Sequence, residues 1–109
     1  MRIADVFFQD ILTGQLTQLP AGAGFRFSYL PDYAGPPISQ TMPVLEKTFE
    51  YDDFPSFFDG LLPEGFQLEA LLRRKKLDRN DHFGQLLLVG SDTVGAVSVH
   101  EHFEESNRP

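Results

Sequence analysis

The first third of the chain alternates apolar and polar positions with a period of two. In residues 2–8, Ala4, Val6 and Phe8 fall on one face and Ile3 and Phe7 on the other, which predicts a strand. Gln9-Asp10 offers a turn, and Leu12, Gly14 and Leu16 alternate into a second strand. Residues 19–24 hold one proline and two glycines and read as a loop. Phe25, Phe27 and Tyr29 then alternate with Arg26 and Ser28, the clearest two-residue period in the sequence. Three aromatics on one strand face predict a core wall. Residues 31–37 form a loop around Gly35-Pro36-Pro37, where helix is excluded. Residues 38–44 are expected to be extended, with Pro43 marking an edge position or a strand end.

The period changes at Phe54. Phe54, Phe57, Phe58, Leu61 and Leu62 lie at i, i+3, i+4, i+7 and i+8, the face of one helix, with Asp52 or Asp53 to cap it and Pro55 in its first turn. Pro63-Glu64-Gly65 interrupts that face, and an apolar run restarts at Phe66 with Leu68, Leu71 and Leu72. Two short helices therefore meet at a corner with an aromatic directly after the glycine. Asp78 or Asn80 is expected to begin a third helix in which Phe83, Leu86 and Leu87 share a face and Gly90 supplies the stop. Residues 94–99 return to strand, and the polar residues 100–109 are expected to fray. No repeat or linker divides the chain, so residues 1–99 read as one domain followed by a tail at 100–109. The fold class is α+β: a small antiparallel β-rich sheet or partly open barrel with two or three short helices.

Composition narrows the function. A length of 109 residues fits one modest core, and the absence of cysteine removes disulfides and thiolate metal sites and fits a cytoplasmic setting. No apolar run approaches a membrane span, and the N-terminus lacks a signal-peptide pattern. The net charge of −7 argues against direct nucleic-acid binding. The charge is also unevenly placed. Five of the nine bases (Arg73, Arg74, Lys75, Lys76, Arg79) crowd into seven positions, whereas residues 46–69 hold seven acids and one base, Lys47. Such asymmetry steers association with a charged partner.

A search for chemistry finds little. The glycines at 22 and 24 lack the sequence of a phosphate loop, and there is no GxSxG, HExxH or cysteine nucleophile. His100 and His102 with Glu101, Glu104 and Glu105 have zinc-ligand chemistry but no fixed surroundings. Asp52, Asp53, Asp59 and Glu64 are better explained as caps and solvated faces than as an acid–base pair, and the bases at 73–79 as complements to a helix C-terminus. No catalytic, cofactor-binding or metal residue is assigned, and the chain reads as a non-enzyme.

Several blocks in order, FRFSYLPDY, PPISQTMP, FFDGLLPEG at 57–65 and DHFGQLLLVGSDTVGAVSV at 81–99, resemble the small N-terminal subdomain of HipA-type toxin kinases. The resemblance covers nearly all of residues 2–99. It implies a β-rich unit with short helices that packs on a serine/threonine kinase core, and none of that core's ATP-binding or catalytic residues is present in these 109 residues. A standalone version is similar to the HipS-like subunit of split, three-component HipBST systems. That similarity implies an antitoxin that binds and inhibits a separate, shortened HipA-like kinase (HipT-like), with a HipB-like helix-turn-helix protein as third member. The alternative is an orphan subdomain that stabilises a HipA-type kinase without inhibiting it. For the contact itself the candidate residues are Pro63, Glu64, Gly65 and Phe66. Gly65 would let a backbone approach closely, and Phe66 would serve either as partner anchor or as a core residue packed under Leu68 and Leu71.

Overall fold

A computed structural model describes residues 2–93 and 95–102. It contains five strands, β1 (Ile3–Phe8), β2 (Ile11–Gln18), β3 (Phe25–Tyr29), β4 (Thr48–Tyr51) and β5 (Val97–Glu101), and three helices, α1 (Ser56–Asp59), α2 (Gly65–Lys75) and α3 (His82–Val89). All strand pairs are antiparallel and the order is β4-β3-β2-β1-β5, an open sheet rather than a closed barrel. The α+β class expected from the sequence is the one found.

The pleat sorts the side chains. Ala4 pairs with Leu16, Leu16 with Phe27, Phe27 with Phe49, and Val6 with Val99, so one continuous apolar face spans all five strands. Asp5, Gln15, Arg26, Ser28 and Glu50 occupy the other face, where Arg26 and Glu50 form an exposed cross-strand ion pair of 2.7 Å. The helices cover the apolar face. Phe58 of α1 meets the Phe27 ring at 5.8 Å, and Phe83 of α3 stacks on Phe25 at 6.3 Å. Phe27, Phe58 and Leu86 are fully buried. The three aromatics of β3 are the core wall that their alternation predicts.

Local chemistry explains where the structure departs from the sequence expectations. The β1–β2 pairing slips at a bulge between Val6 and Phe7. Thr13 is thereby turned inward, its hydroxyl donating to the Val6 carbonyl at 3.0 Å, while Leu12 stays exposed instead of sharing the face of Leu16. Residues 38–44 are not a strand. The Tyr29 hydroxyl donates to the Met42 carbonyl and accepts the Ile38 N–H at 3.0 Å, so a side chain satisfies the backbone groups a ladder would otherwise take. The fourth strand is Thr48–Tyr51, which the sequence analysis does not predict; Phe49 and Tyr51 pack inward and pair with Phe27 and Phe25.

α1 is a single turn rather than a helix from Phe54 to Leu62. It starts after Pro55, with no side-chain cap from Asp52 or Asp53, and ends at Gly60. Its apolar set still faces the core: Phe58 is fully buried, and Phe54, Phe57, Leu61 and Leu62 pack partly buried against it. α3 is capped by Asp81, which accepts from the Gly84 N–H at 3.0 Å, and not by Asp78 or Asn80. Gly90 does end α3, and it has a second duty: a β-carbon there would stand 2.7 Å from Val99 Cβ, so only glycine lets the helix end close over β5. β5 itself runs on through Glu101, and the His102 N–H donates to the Ile3 carbonyl at 2.9 Å. The expected fraying therefore does not begin at residue 100; residues 103–109 lie outside the described residues.

Candidate partner-binding surface

After α1 the chain tightens through two successive short turns, with Leu61 N–H bonded to the Phe58 carbonyl at 3.0 Å and Leu62 N–H to the Asp59 carbonyl at 3.1 Å. Pro63 cannot continue that pattern. Glu64 is extended (φ −129°, ψ 167°), and Gly65 takes φ +58°, which swings the chain into α2. A β-carbon on Gly65 would meet nothing within 4 Å. Glycine suits the left-handed dihedral here, and the space where a β-carbon would stand is open on the surface.

Pro63 is half-buried, and Glu64, Gly65 and Phe66 are exposed. Phe66 is 94% exposed, so the reading in which it packs under Leu68 and Leu71 against the sheet fails. The reason is geometric. Leu68, Leu71 and Leu72 already supply the inward face of α2, and Phe66 precedes Leu68 by two positions, on another side of the helix. The corner is a ridge between two clefts. One, of about 300 Å3, is bounded by Asp59, Glu64, Leu68 and His82; the other, of about 610 Å3, runs from Leu61 and Pro63 along α2 toward Leu88.

Charge is distributed around the ridge. Of the seven acids between residues 46 and 69, Glu50 is paired with Arg26 and Glu69 with Arg79 at 2.7 Å. Asp59 and Glu64 stand exposed at the corner. At the far end of α2, Arg73, Arg74 and Lys75 occupy the last turn, where the helix dipole favours cations.

One buried and one partly buried polar arrangement hold this surface in place, and periodicity alone did not reveal them. Gln85 is 1% exposed and donates from Nε2 to the carbonyls of Asp78 (3.1 Å) and Arg79 (3.0 Å), fixing the connection between α2 and α3. Arg2 grips Asp81 through two bonds of 2.6 and 3.1 Å, donates to Gln18 at 2.7 Å, and lies over the Phe83 ring at 5.2 Å. The Arg2 hydrogen bond holds the Asp81 carboxyl below its ordinary pKa, with partial burial opposing it and the Gly84 N–H helping.

The other polar candidates are placed separately. His102 Nδ1 lies 2.9 Å from Asp5 Oδ1, and His100 stands edge-on to Phe7 at 5.1 Å. Glu104 and Glu105 lie outside the described residues. Among the described residues no three His, Asp or Glu side chains converge on a metal-sized site, and no helix is long and apolar enough to cross a membrane.

A family model described as the HipA N-terminal domain matches residues 4–100. A solved structure described as the N-terminal domain of HipA toxin superposes with a TM-score of 0.76 at 29% identity, covering 96% of both chains. HipA of Shewanella oneidensis MR-1, solved with HipB and its operator DNA, superposes with a TM-score of 0.69 at 24% identity. That likeness spans 89% of this chain and 23% of the other, and it bears on the fold alone. An uncharacterized protein of Haemophilus influenzae is 37% identical over 78 residues, 72% of this chain and 74% of its own length.

Proposed function

The chain belongs to the HipA N-terminal domain family, and from that we propose that it is a non-catalytic antitoxin subunit that binds a separate HipA-like serine/threonine kinase toxin and inhibits it. The family match is to the N-terminal domain of HipA, and the solved structure matched at 29% identity is the N-terminal domain of HipA toxin. The observation that carries the reading is Phe66: a large, rigid apolar side chain, 94% exposed, raised on a ridge by a glycine whose dihedral suits few other residues. Truncatable aromatics of this kind are the usual anchors of protein interfaces. Pro63 and Glu64 complete the contact, and Glu64 with Asp59 steers a basic surface toward it.

In this reading the protein works in the cytoplasm with a HipT-like kinase and a HipB-like helix-turn-helix protein. DNA contacts would belong to the HipB-like member, since a net charge of −7 opposes direct nucleic-acid binding by this chain. The test is co-expression with a HipA-type kinase that lacks its own N-terminal domain. The parent chain should relieve growth arrest and pull down the kinase, and a folded Phe66→Ala chain should do neither. Kinase binding without relief of arrest would replace inhibition by simple stabilisation, and full relief by Phe66→Ala would remove the corner from the interface.

A further inference from the structure

The larger cleft beside the corner has a chemistry of its own. Leu61, Leu62 and Leu71 form its floor, Leu88 of α3 stands 41% exposed in its wall, and Arg74 and Lys75 of α2 lie on its rim. At about 610 Å3 it is a trough with an apolar floor, whose α2 rim carries two cations and Gln67 and whose far end is closed by Asp92 and Thr93. We propose that this cleft is a docking groove for a partner segment that carries apolar and acidic side chains together, a second contact beyond the Phe66 ridge.

Charge complementarity selects the occupant. The chain is acidic overall, yet Arg73, Arg74, Lys75 and Lys76 follow one another at this end. Among the described residues none of the four has a carboxylate within ion-pair distance, whereas Arg79 beside them is paired with Glu69. The helix dipole favours positive charge here but does not require four adjacent cations, which repel one another. Lys76 adds an independent sign. It caps α2 in the left-handed conformation (φ 55°, ψ 39°), a position where glycine is the residue of least strain.

The apolar floor decides between acidic partners. Phosphates of a nucleic acid would satisfy the cations but leave Leu61 and Leu88 uncovered, and the cleft lining has no aromatic on which a base could stack. A segment with leucine-like side chains on one side and carboxylates on the other matches both walls, as amphipathic helices do in apolar grooves.

The test uses the full 15N-labelled chain and two short synthetic peptides of identical leucine pattern, one filled with glutamate and the other with lysine. The glutamate peptide should shift the amides of Leu61, Gln67, Arg74 and Leu88, and the lysine peptide should not. Combining Arg74→Glu with Lys75→Glu, or making Leu88→Asp alone, should weaken that binding by about tenfold or more. All three positions are exposed, so the fold should survive. Phe66→Ala should bind the peptide as the parent does, so this groove and the corner reading fail separately. The inference is overturned if neither peptide moves those amides. It is equally overturned if single-stranded oligothymidylate moves residues 73–76 more strongly than the glutamate peptide does. Dilution of the free chain shifting the same amides would assign the cleft to a second copy instead.

Discussion

Phe66→Ala separates an anchor from a core residue because the two roles differ in which free energy they change. Complete burial of a phenylalanine is worth about 1.5–3 kcal/mol. With 94% of its surface exposed, Phe66 recovers about 0.2 kcal/mol of that at most. For a domain of this size 1 kcal/mol moves the melting temperature by about 4–8 °C, so the variant should melt within about 2 °C of the parent. An aromatic anchor at an interface typically loses 2 kcal/mol or more on truncation, which corresponds to about thirtyfold in Kd. Melting by circular dichroism and titration calorimetry against a kinase lacking its N-terminal domain measure the two quantities on the same preparation. A melting temperature lowered by more than about 4 °C would mean that Phe66 supports the fold. A Kd unchanged within about threefold would mean that the ridge is not where the partner sits.

Three further predictions follow from the packing. Phe58, fully buried against Phe27, should lose about 3–5 kcal/mol on truncation to alanine, and half-buried Phe57 measurably less; equal losses in urea melts would refute the packing order. Asp81 has a lowered folded-state pKa, so its stabilisation is present above the ordinary aspartate pKa and is lost as pH falls through the folded value. Urea midpoints should therefore fall more steeply between pH 5 and pH 2 in the parent than in Asp81→Asn, and identical slopes would show that the Arg2 pair carries no linkage. Gln9 and Asp10 both hold positive φ (50° and 67°) in the β1–β2 turn. Asp10→Gly should raise stability by about 0.5–1 kcal/mol, and a lowered midpoint would show that the Asp10 side chain contributes more than its strain removes.

How much was legible in the sequence depends on whether one residue or several decided the outcome. The inward faces of β1 and β3 and the apolar stripe of α3 come from repeated choices along a single element, and periodicity reads those well. The failures occur where a distant side chain competes for the backbone. The Tyr29 hydroxyl takes the polar groups of Ile38 and Met42, which removes the expected strand at 38–44. The bulge at Val6 inverts the start of β2, because a one-residue slip moves every following side chain to the other face. Thr48-Phe49-Glu50-Tyr51 does alternate, and Arg26 opposite Glu50 supports it, but the run is four residues long and borders the helical pattern. At the corner the residue types and the break in periodicity were visible. The exposure of Phe66 was not, since whether Leu68, Leu71 and Leu72 suffice to seat α2 is a property of the packed helix.

That seating bears on function. α2 reaches the body of the domain through Leu71 and Leu72, with Leu68 half-buried, while its first turn carries a bare aromatic and its last turn three cations. Elements held by few buried residues are the ones most readily reshaped or covered by a partner, because the fold loses little when their outer faces change. The fold therefore rests on the sheet face, Phe58 and Phe83, and the exposed positions of α2, with Leu88 of α3 beside them, are left for the recognition proposed above. If that division is correct, substitutions at Phe66, Arg74, Lys75 and Leu88 should cluster near zero in a stability screen and stand out in a binding screen, whereas Phe27, Phe58 and Leu86 should do the opposite. A position on α2 that fails both screens together would show that the helix is folded only through its contact with the partner, and the division between scaffold and recognition surface would have to be drawn inside α2 itself.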